Sequence, residues 1–151
     1  MRNIFIFVLI IIIVYLYIKS GNKENFESDS SINLRTSDGK YLMVCSDKSL
    51  CITDNPDNRA TFKVMKFSET VIGLSYDGRY VSACFGDKCS DDIMVNNYNP
   101  YAANTKLTLI KDMGKSYKIT FYDGKYMNVG LNGNITKTTD IKKALDIFML
   151  E

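Results

Sequence analysis

Asp38-Gly39-Lys40-Tyr41, Asp77-Gly78-Arg79-Tyr80 and Asp123-Gly124-Lys125-Tyr126 are three copies of one tetrapeptide. Each joins two runs that alternate apolar and polar residues. Upstream lie Ile32–Thr36, Thr70–Ser75 and Tyr117–Phe121; downstream lie Lys40–Val44, Arg79–Ala83 and Lys125–Val129. Asp-Gly between alternating runs is a hairpin signal, because the turn needs a positive φ that glycine adopts without steric cost. The downstream runs also give the facing. Their third and fifth positions stay apolar (Leu42 and Val44, Val81 and Ala83, Met127 and Val129), whereas the fourth drifts from Met43 to Ser82 to Asn128. With a strand period of two, the constant pair faces a core, and Tyr41, Tyr80 and Tyr126 lie on the other face, over neighbouring strands.

Each copy continues in the same way. A third strand is expected at Leu50–Thr53, Ile93–Val95 and Asn134–Thr138. A fourth is expected at Thr61–Phe67, Lys106–Ile110 and Asp146–Leu150, with Ala60, Ala103 or Ala144 shortly before it. Four strands in each of three copies make twelve, an all-β domain over residues 32–151. One position breaks the repeat. Gly73 stands where counting back from the tetrapeptide gives Leu34 and Ile119 in the other copies, which predicts a bulge or register slip in that strand.

Three tandem units of about 40 residues, with apolar-x-apolar, Gly-Lys-Tyr-apolar and Ala before a closing strand, resemble a β-trefoil. The pattern is most similar to the fascin-like branch and more distantly to fibroblast growth factors. Trefoils of this kind bind partners through loops on a rigid frame. Ricin-type sugar-binding trefoils use a Gln-x-Trp signature, and this chain has no tryptophan. Fascin-like actin contacts lie in basic patches across several tandem trefoils. This single neutral repeat set departs from that pattern, so actin binding is not carried over.

The first 20 residues read as a separate element. Ile4–Ile18 is an uninterrupted apolar or tyrosine run between Arg2 and Lys19. It sits between the lengths of a signal-peptide core and a bilayer span, and flanking cations that reach the interface lengthen it to a span. Ile18-Lys19-Ser20 is a poor cleavage site. The expectation is therefore a single N-terminal transmembrane helix or signal anchor over residues 1–20, with a removed signal peptide and a secreted body as the second reading. Residues 21–31, GNKENFESDSS, read as a flexible polar tether. The Ile-rich anchor and its tether resemble small virion membrane proteins of large DNA viruses.

Composition narrows the function. Of 19 basic residues, Arg2 and Lys19 lie in the N-terminal element, which leaves 17 against 17 acidic ones in the body. A neutral body offers no field for nucleic acid. Histidine is absent, which removes the usual general base and the commonest metal ligand. Asp54 and Asp57, and Asp91 and Asp92, sit in turn sequences with no partner base, and read as turn formers. No nucleophile motif, phosphate loop or metal cluster is present, so the chain is expected to be non-enzymatic and free of cofactors.

Four cysteines remain. Cys45 and Cys51, and Cys84 and Cys89, straddle the hairpin between the second and third strands of their copies; the third copy has Gly130 and Ile135 around an Asn132-Gly133 turn. Of three pairings, repeat symmetry favours Cys45–Cys51 and Cys84–Cys89. Four reduced thiols and a zinc site are the alternatives, the second opposed by wide spacing and the missing histidine. Asn134-Ile135-Thr136 is a glycosylation sequon expected on an exposed turn. Asn96–Asn104, NNYNPYAAN, is the longest irregular stretch, five residues longer than its counterparts. Its Tyr98, Pro100 and Tyr101 suit docking to a protein or stacking on a sugar; the plain reading is a surface loop with its tyrosines folded back.

Together these make a membrane-anchored structural or interaction component of a virus particle, docking to other proteins, the first functional reading. A cell-surface or secreted module that recognises a glycan or receptor through the 96–104 loop is the second.

Overall fold

The computed structural model describes residues 27–84, 93–112 and 114–150. They form twelve strands: β1 Glu27–Thr36, β2 Tyr41–Val44, β3 Leu50–Thr53, β4 Thr61–Lys66, β5 Val71–Tyr76, β6 Arg79–Ala83, β7 Ile93–Asn97, β8 Leu107–Lys111, β9 Tyr117–Thr120, β10 Tyr126–Val129, β11 Ile135–Thr138 and β12 Ile147–Leu150. All twelve expected strands are present, most within a residue or two of their expected ends. The N-terminal helix expected over residues 1–20, and the tether up to residue 26, lie outside the described residues. Among the described residues no helix is long and apolar enough to cross a membrane.

The first and fourth strands of each copy close a barrel. Antiparallel pairs run β1–β4, β4–β5, β5–β8, β8–β9, β9–β12 and back from β12 to β1. Closure leaves this ring without an edge strand, so its backbone groups pair internally. The hairpins β2–β3, β6–β7 and β10–β11 hang from one end of the ring. They touch one another through bridges Ser49–Met94 and Cys51–Asn134 and through the Val95 amide, which donates to the Lys48 carbonyl at 2.7 Å.

Inward residues stack in threefold layers. The central layer takes Leu34, Leu74 and Ile119 from first strands and Phe62, Leu107 and Ile147 from fourth strands, all fully buried. At the open end Ile32, Val64, Ile72, Leu109, Tyr117 and Met149 line a hollow of about 610 Å³. Under the hairpins lie Leu42, Val44, Val81, Ala83 and Met127, joined by Leu50, Ile93 and Ile135. The facing read from the downstream runs therefore holds, except that Val129 is only half-buried. Ala60 is buried before β4, but the equivalent places before β8 and β12 are filled by Thr105 and Leu145 rather than by Ala103 and Ala144.

Two expectations are corrected. Residues 27–31, placed in the tether, are the start of β1: Glu27 pairs with Met65, and the register shifts before Ser31. Their polar composition hid a strand whose partner is β4 backbone. The second correction concerns Gly73. Strand β5 runs against β4 without a bulge, pairing Ser75, Leu74, Gly73 and Ile72 in unbroken register with Lys63 to Lys66. The slip is in the turn. Arg35 pairs with Tyr41 and Thr120 with Tyr126, each six positions on, whereas Ser75 pairs with Tyr80, five on. In copies one and three only the glycine of the turn has positive φ, 92° and 75°. In copy two both Asp77 (50°) and Gly78 (69°) do, which makes a two-residue turn of the type I′ class. One residue fewer moves Leu74 into the place of Leu34 and turns Gly73 outward, where the rings of Phe67 and Tyr80 lie over it.

Cys45 and Cys51 form a disulfide across the β2–β3 hairpin, with Cα atoms 6.0 Å apart. By loop-closure entropy so short a ring is worth about 2 kcal/mol. Cys84 is also disulfide-bonded; its expected partner, Cys89, lies outside the described residues. The hairpin is already shaped by Asp47, whose carboxylate accepts from the Ser49 hydroxyl and amide at 2.6 and 2.9 Å and is held below the usual carboxylate range by them.

Candidate functional site

The stretch 96–104 departs furthest from the repeat, and its backbone is tied down locally. The Asn97 side-chain oxygen accepts from the Asn99 amide at 2.9 Å, and that of Asn99 accepts from the Tyr101 amide at 3.0 Å. The Asn97 amide group donates to the Asn104 side chain at 3.1 Å. These are Asx turns in series, the arrangement that asparagine side chains favour in loops. Beneath them sits Thr105, fully buried. Its Oγ1 lies 2.7, 2.8 and 3.3 Å from the carbonyl oxygens of Ala102, Pro100 and Asn99, and its proton is shared among them.

This frame presents Tyr98 and Tyr101, 69% and 71% exposed. The reading of tyrosines folded back on the body is therefore set aside; they stand out, each supported from one side. The Arg79 guanidinium lies over the Tyr98 ring, 5.3 Å from its centre. Phe67 meets Tyr101 edge-on, with ring centres 6.1 Å apart and planes at 68°. Lys106 places its ammonium 5.2 Å from the centre of the Phe67 ring. Cation–π contacts at exposed sites contribute about 0.5–1 kcal/mol each, a bias toward the supported pose. Pro100 shapes the turn and is half-buried, so it is scaffold rather than contact surface.

Sequence reasoning missed Arg79, Phe67 and Lys106. A signal for the first was present: the tetrapeptide carries lysine at Lys40 and Lys125 and arginine only at Arg79. The planar guanidinium stacks on a ring in a way that an ammonium does not. Gly73 belongs to the same face, since its missing side chain is what admits Phe67 and Tyr80. Copy two thus departs from the repeat at Gly73, Arg79 and the long loop, and the fold gathers all three on one side.

The remaining candidates lie elsewhere. Asn134, expected on an exposed turn, is half-buried; its backbone bridges Cys51, and its carbonyl accepts from the Gly130 amide at 2.8 Å. Asp57 caps the short turn before β4, accepting from the Arg59 amide at 2.8 Å and pairing with its guanidinium at 2.7 Å. The Arg59 side chain holds the Asp57 carboxyl below its usual range. Lys118 sits between Asp112 and Asp146, which raise its pKa, Asp112 the more. Asp91 and Asp92 lie outside the described residues. Among the described residues no cluster of three or more His, Cys, Asp or Glu side chains is placed to hold a metal ion.

Replacing Thr105 with valine keeps the shape and removes the hydroxyl that joins three loop carbonyls. Losing such a hydrogen-bonded hydroxyl costs about 0.5–1.5 kcal/mol. The expected result is a lower melting temperature together with faster amide exchange at Asn99 and Tyr101; unchanged exchange there would show that the asparagines alone hold the loop.

No family model matches the chain, and no curated protein does. Among solved structures it is similar to the designed 3-fold symmetric protein ThreeFoil, at 12% identity and a TM-score of 0.67, over 80% of this chain and 98% of that one. It is also similar to a GH43 beta-1,3-galactosidase at 15% identity and a TM-score of 0.69, over 85% of this chain but only 28% of that one. Identities this low show the fold alone, and the closed six-stranded ring with three hairpins makes it a β-trefoil-type fold.

Proposed function

We propose that the chain is a non-enzymatic interaction protein, held at a membrane by residues 4–18, that docks to another protein through the face carrying Tyr98 and Tyr101. The observation that supports this best is two exposed tyrosines on a loop whose backbone is tied by its own side chains. Rigid aromatic side chains lose little entropy on binding, and tyrosine and arginine are the residue types that dominate protein interfaces. The setting is a virus particle, on the resemblance of residues 1–31 to small virion membrane proteins. The repeated Gly-Lys-Tyr of the first and third copies supports reading the body as closest, among trefoils, to the fascin-like branch. A glycan or receptor at a cell surface is the second reading, favoured by an open tyrosine ring beside an asparagine-rich turn.

The test is the full chain in phospholipid nanodiscs, wild type against Tyr98→Ala plus Tyr101→Ala. A protein partner captured quantitatively from particles or host membranes should bind the double variant at least about tenfold more weakly, ~1.4 kcal/mol, with the twelve-stranded fold retained. Capture that ignores the double change would sink the docking face. Binding to arrayed glycans that depends on the tyrosines would favour the second reading.

A further inference from the structure

Beside Tyr98 lies a hollow of about 220 Å³, between copies one and two. Its wall is chiefly apolar, with Val44, the half-cystine Cys45 and Val95 contributing to it. Lys48, Arg59 and Arg79 also line it, from three separate segments, with Asp77 the single carboxylate. Arg79 is shared with the Tyr98 stack, so the hollow and the docking face are continuous.

Val95 pairs with Val81, and Lys137 pairs with Met127, so Val95 and Lys137 hold equivalent places in copies two and three. At the next junction the Lys137 side chain reaches into the corresponding place, almost fully buried, and its ammonium donates to the Cys84 carbonyl at 2.8 Å and to Asp123 at 3.2 Å. At the junction of copies one and two the equivalent side chain is the short Val95, which lines the hollow. A body with equal numbers of acids and bases thus collects three cations around one apolar hollow.

We infer that this hollow is the anchor pocket of the docking face, and that it takes one large apolar side chain of an acidic protein segment. The inference rests on the docking reading above. Size sets the occupant: a cavity of about 150 Å³ accepts a benzene ring, so this one holds a single leucine- or phenylalanine-sized group and is smaller than a typical drug-sized site. Charge sets its neighbours. Lys48, Arg59 and Arg79 bring three cations to its edge, Arg59 beside Asp57 and Arg79 over the Tyr98 ring, and carboxylates flanking the anchor are the partners that complement them. The Asp57 pair leaves Arg59 in place without cancelling Lys48 or Arg79.

The probes are capped peptides Glu-Glu-Phe-Glu-Glu, Gln-Gln-Phe-Gln-Gln and Glu-Glu-Ala-Glu-Glu, titrated against the isotope-labelled full chain in zwitterionic nanodiscs. The first should shift the amide signals of Val95 and Lys48, and each of the other two should bind about tenfold more weakly. Lys48→Gln plus Arg59→Gln, which leaves the Arg79–Tyr98 stack intact, should weaken the first peptide by a similar factor with the fold unchanged. No shift at Val95 and Lys48, or equal binding of all three peptides, overturns the inference. A heparin-derived sulfated oligosaccharide that shifts the same signals at a tenth of the peptide concentration also overturns it and makes the hollow a glycan site. Loss of partner capture in the Tyr98 and Tyr101 variant, with no peptide shift here, keeps the docking face and removes only its anchor pocket. Retained capture in that variant removes the docking face and this inference with it.

Discussion

Phe62→Ala should lower the unfolding free energy by about 3–5 kcal/mol. Phe62 is the largest of the six side chains in the central barrel layer and is completely excluded from solvent. Its strand pairs with β1 on one side and β5 on the other, and both neighbours send leucines, Leu34 and Leu74, into the same layer. Truncation removes the transfer energy of the ring and leaves a cavity in a closed barrel. The ring of strands cannot collapse to fill that cavity without breaking ladder hydrogen bonds, so the cost belongs at the upper part of the range. A domain of this size has about 5–15 kcal/mol in total. Phe62→Leu should cost clearly less, because Leu107 holds the equivalent place in copy two. Urea unfolding of the full chain in nanodiscs checks both, with Leu131→Ala as the exposed control, expected within about 0.5 kcal/mol of wild type. A cost for Phe62→Ala no larger than that of the control would remove the central layer from the account.

Gly73→Leu should destabilise the chain by about 1–2 kcal/mol, and its sign decides the register of copy two. Counting back from the tetrapeptide puts Gly73 with the core residues Leu34 and Ile119. On that alignment a leucine would fill a void and also remove the entropy cost of a strand glycine, about 0.5–1 kcal/mol. The short turn at Asp77-Gly78 puts Leu74 there instead. A Cβ on Gly73 would stand 3.3 Å from the Phe67 ring and 3.5 Å from that of Tyr80. The rest of a leucine would have to displace both rings, and overpacking of this kind costs about 1–3 kcal/mol, more than the glycine term returns. Phe67 supports Tyr101, so the same change should also alter the environment of Tyr101, visible in its side-chain NMR signals. A stabilised variant with unchanged tyrosine signals would restore the simple alignment.

These two positions show what was legible in advance. Phe62 stood in an expected fourth strand, in the place that Leu107 and Ile147 hold in the other copies; that this place faces the core is set by the closed ring, in which each strand has one dry face. Gly73 looked like a strand defect. The defect was one missing turn residue, and only the pairing of Ser75 with Tyr80 shows where it sits. The start of β1 at Glu27 was likewise hidden, since polar residues can pair their backbone with β4 whatever their side chains. For the site, the long loop with Tyr98 and Tyr101 could be found from its length. Its partners could not, because Arg79, Phe67 and Lys106 come from a strand, a turn and a loop end that only the closed ring brings together.

The sequence by itself determined the threefold frame, the twelve strands and, Val129 apart, the inward face of the downstream runs, and it favoured the Cys45–Cys51 clamp. All of these follow from local periodicity, turn chemistry and repetition, which act over a few residues at a time. The tertiary structure alone decided that the Asp-Gly-Arg-Tyr copy is the one that turns a residue early. It also decided that the departures of copy two share one face, and that a cation-lined hollow opens beside the Arg79 that supports Tyr98. Those are contacts between residues distant in the chain, set by which strands the barrel makes neighbours.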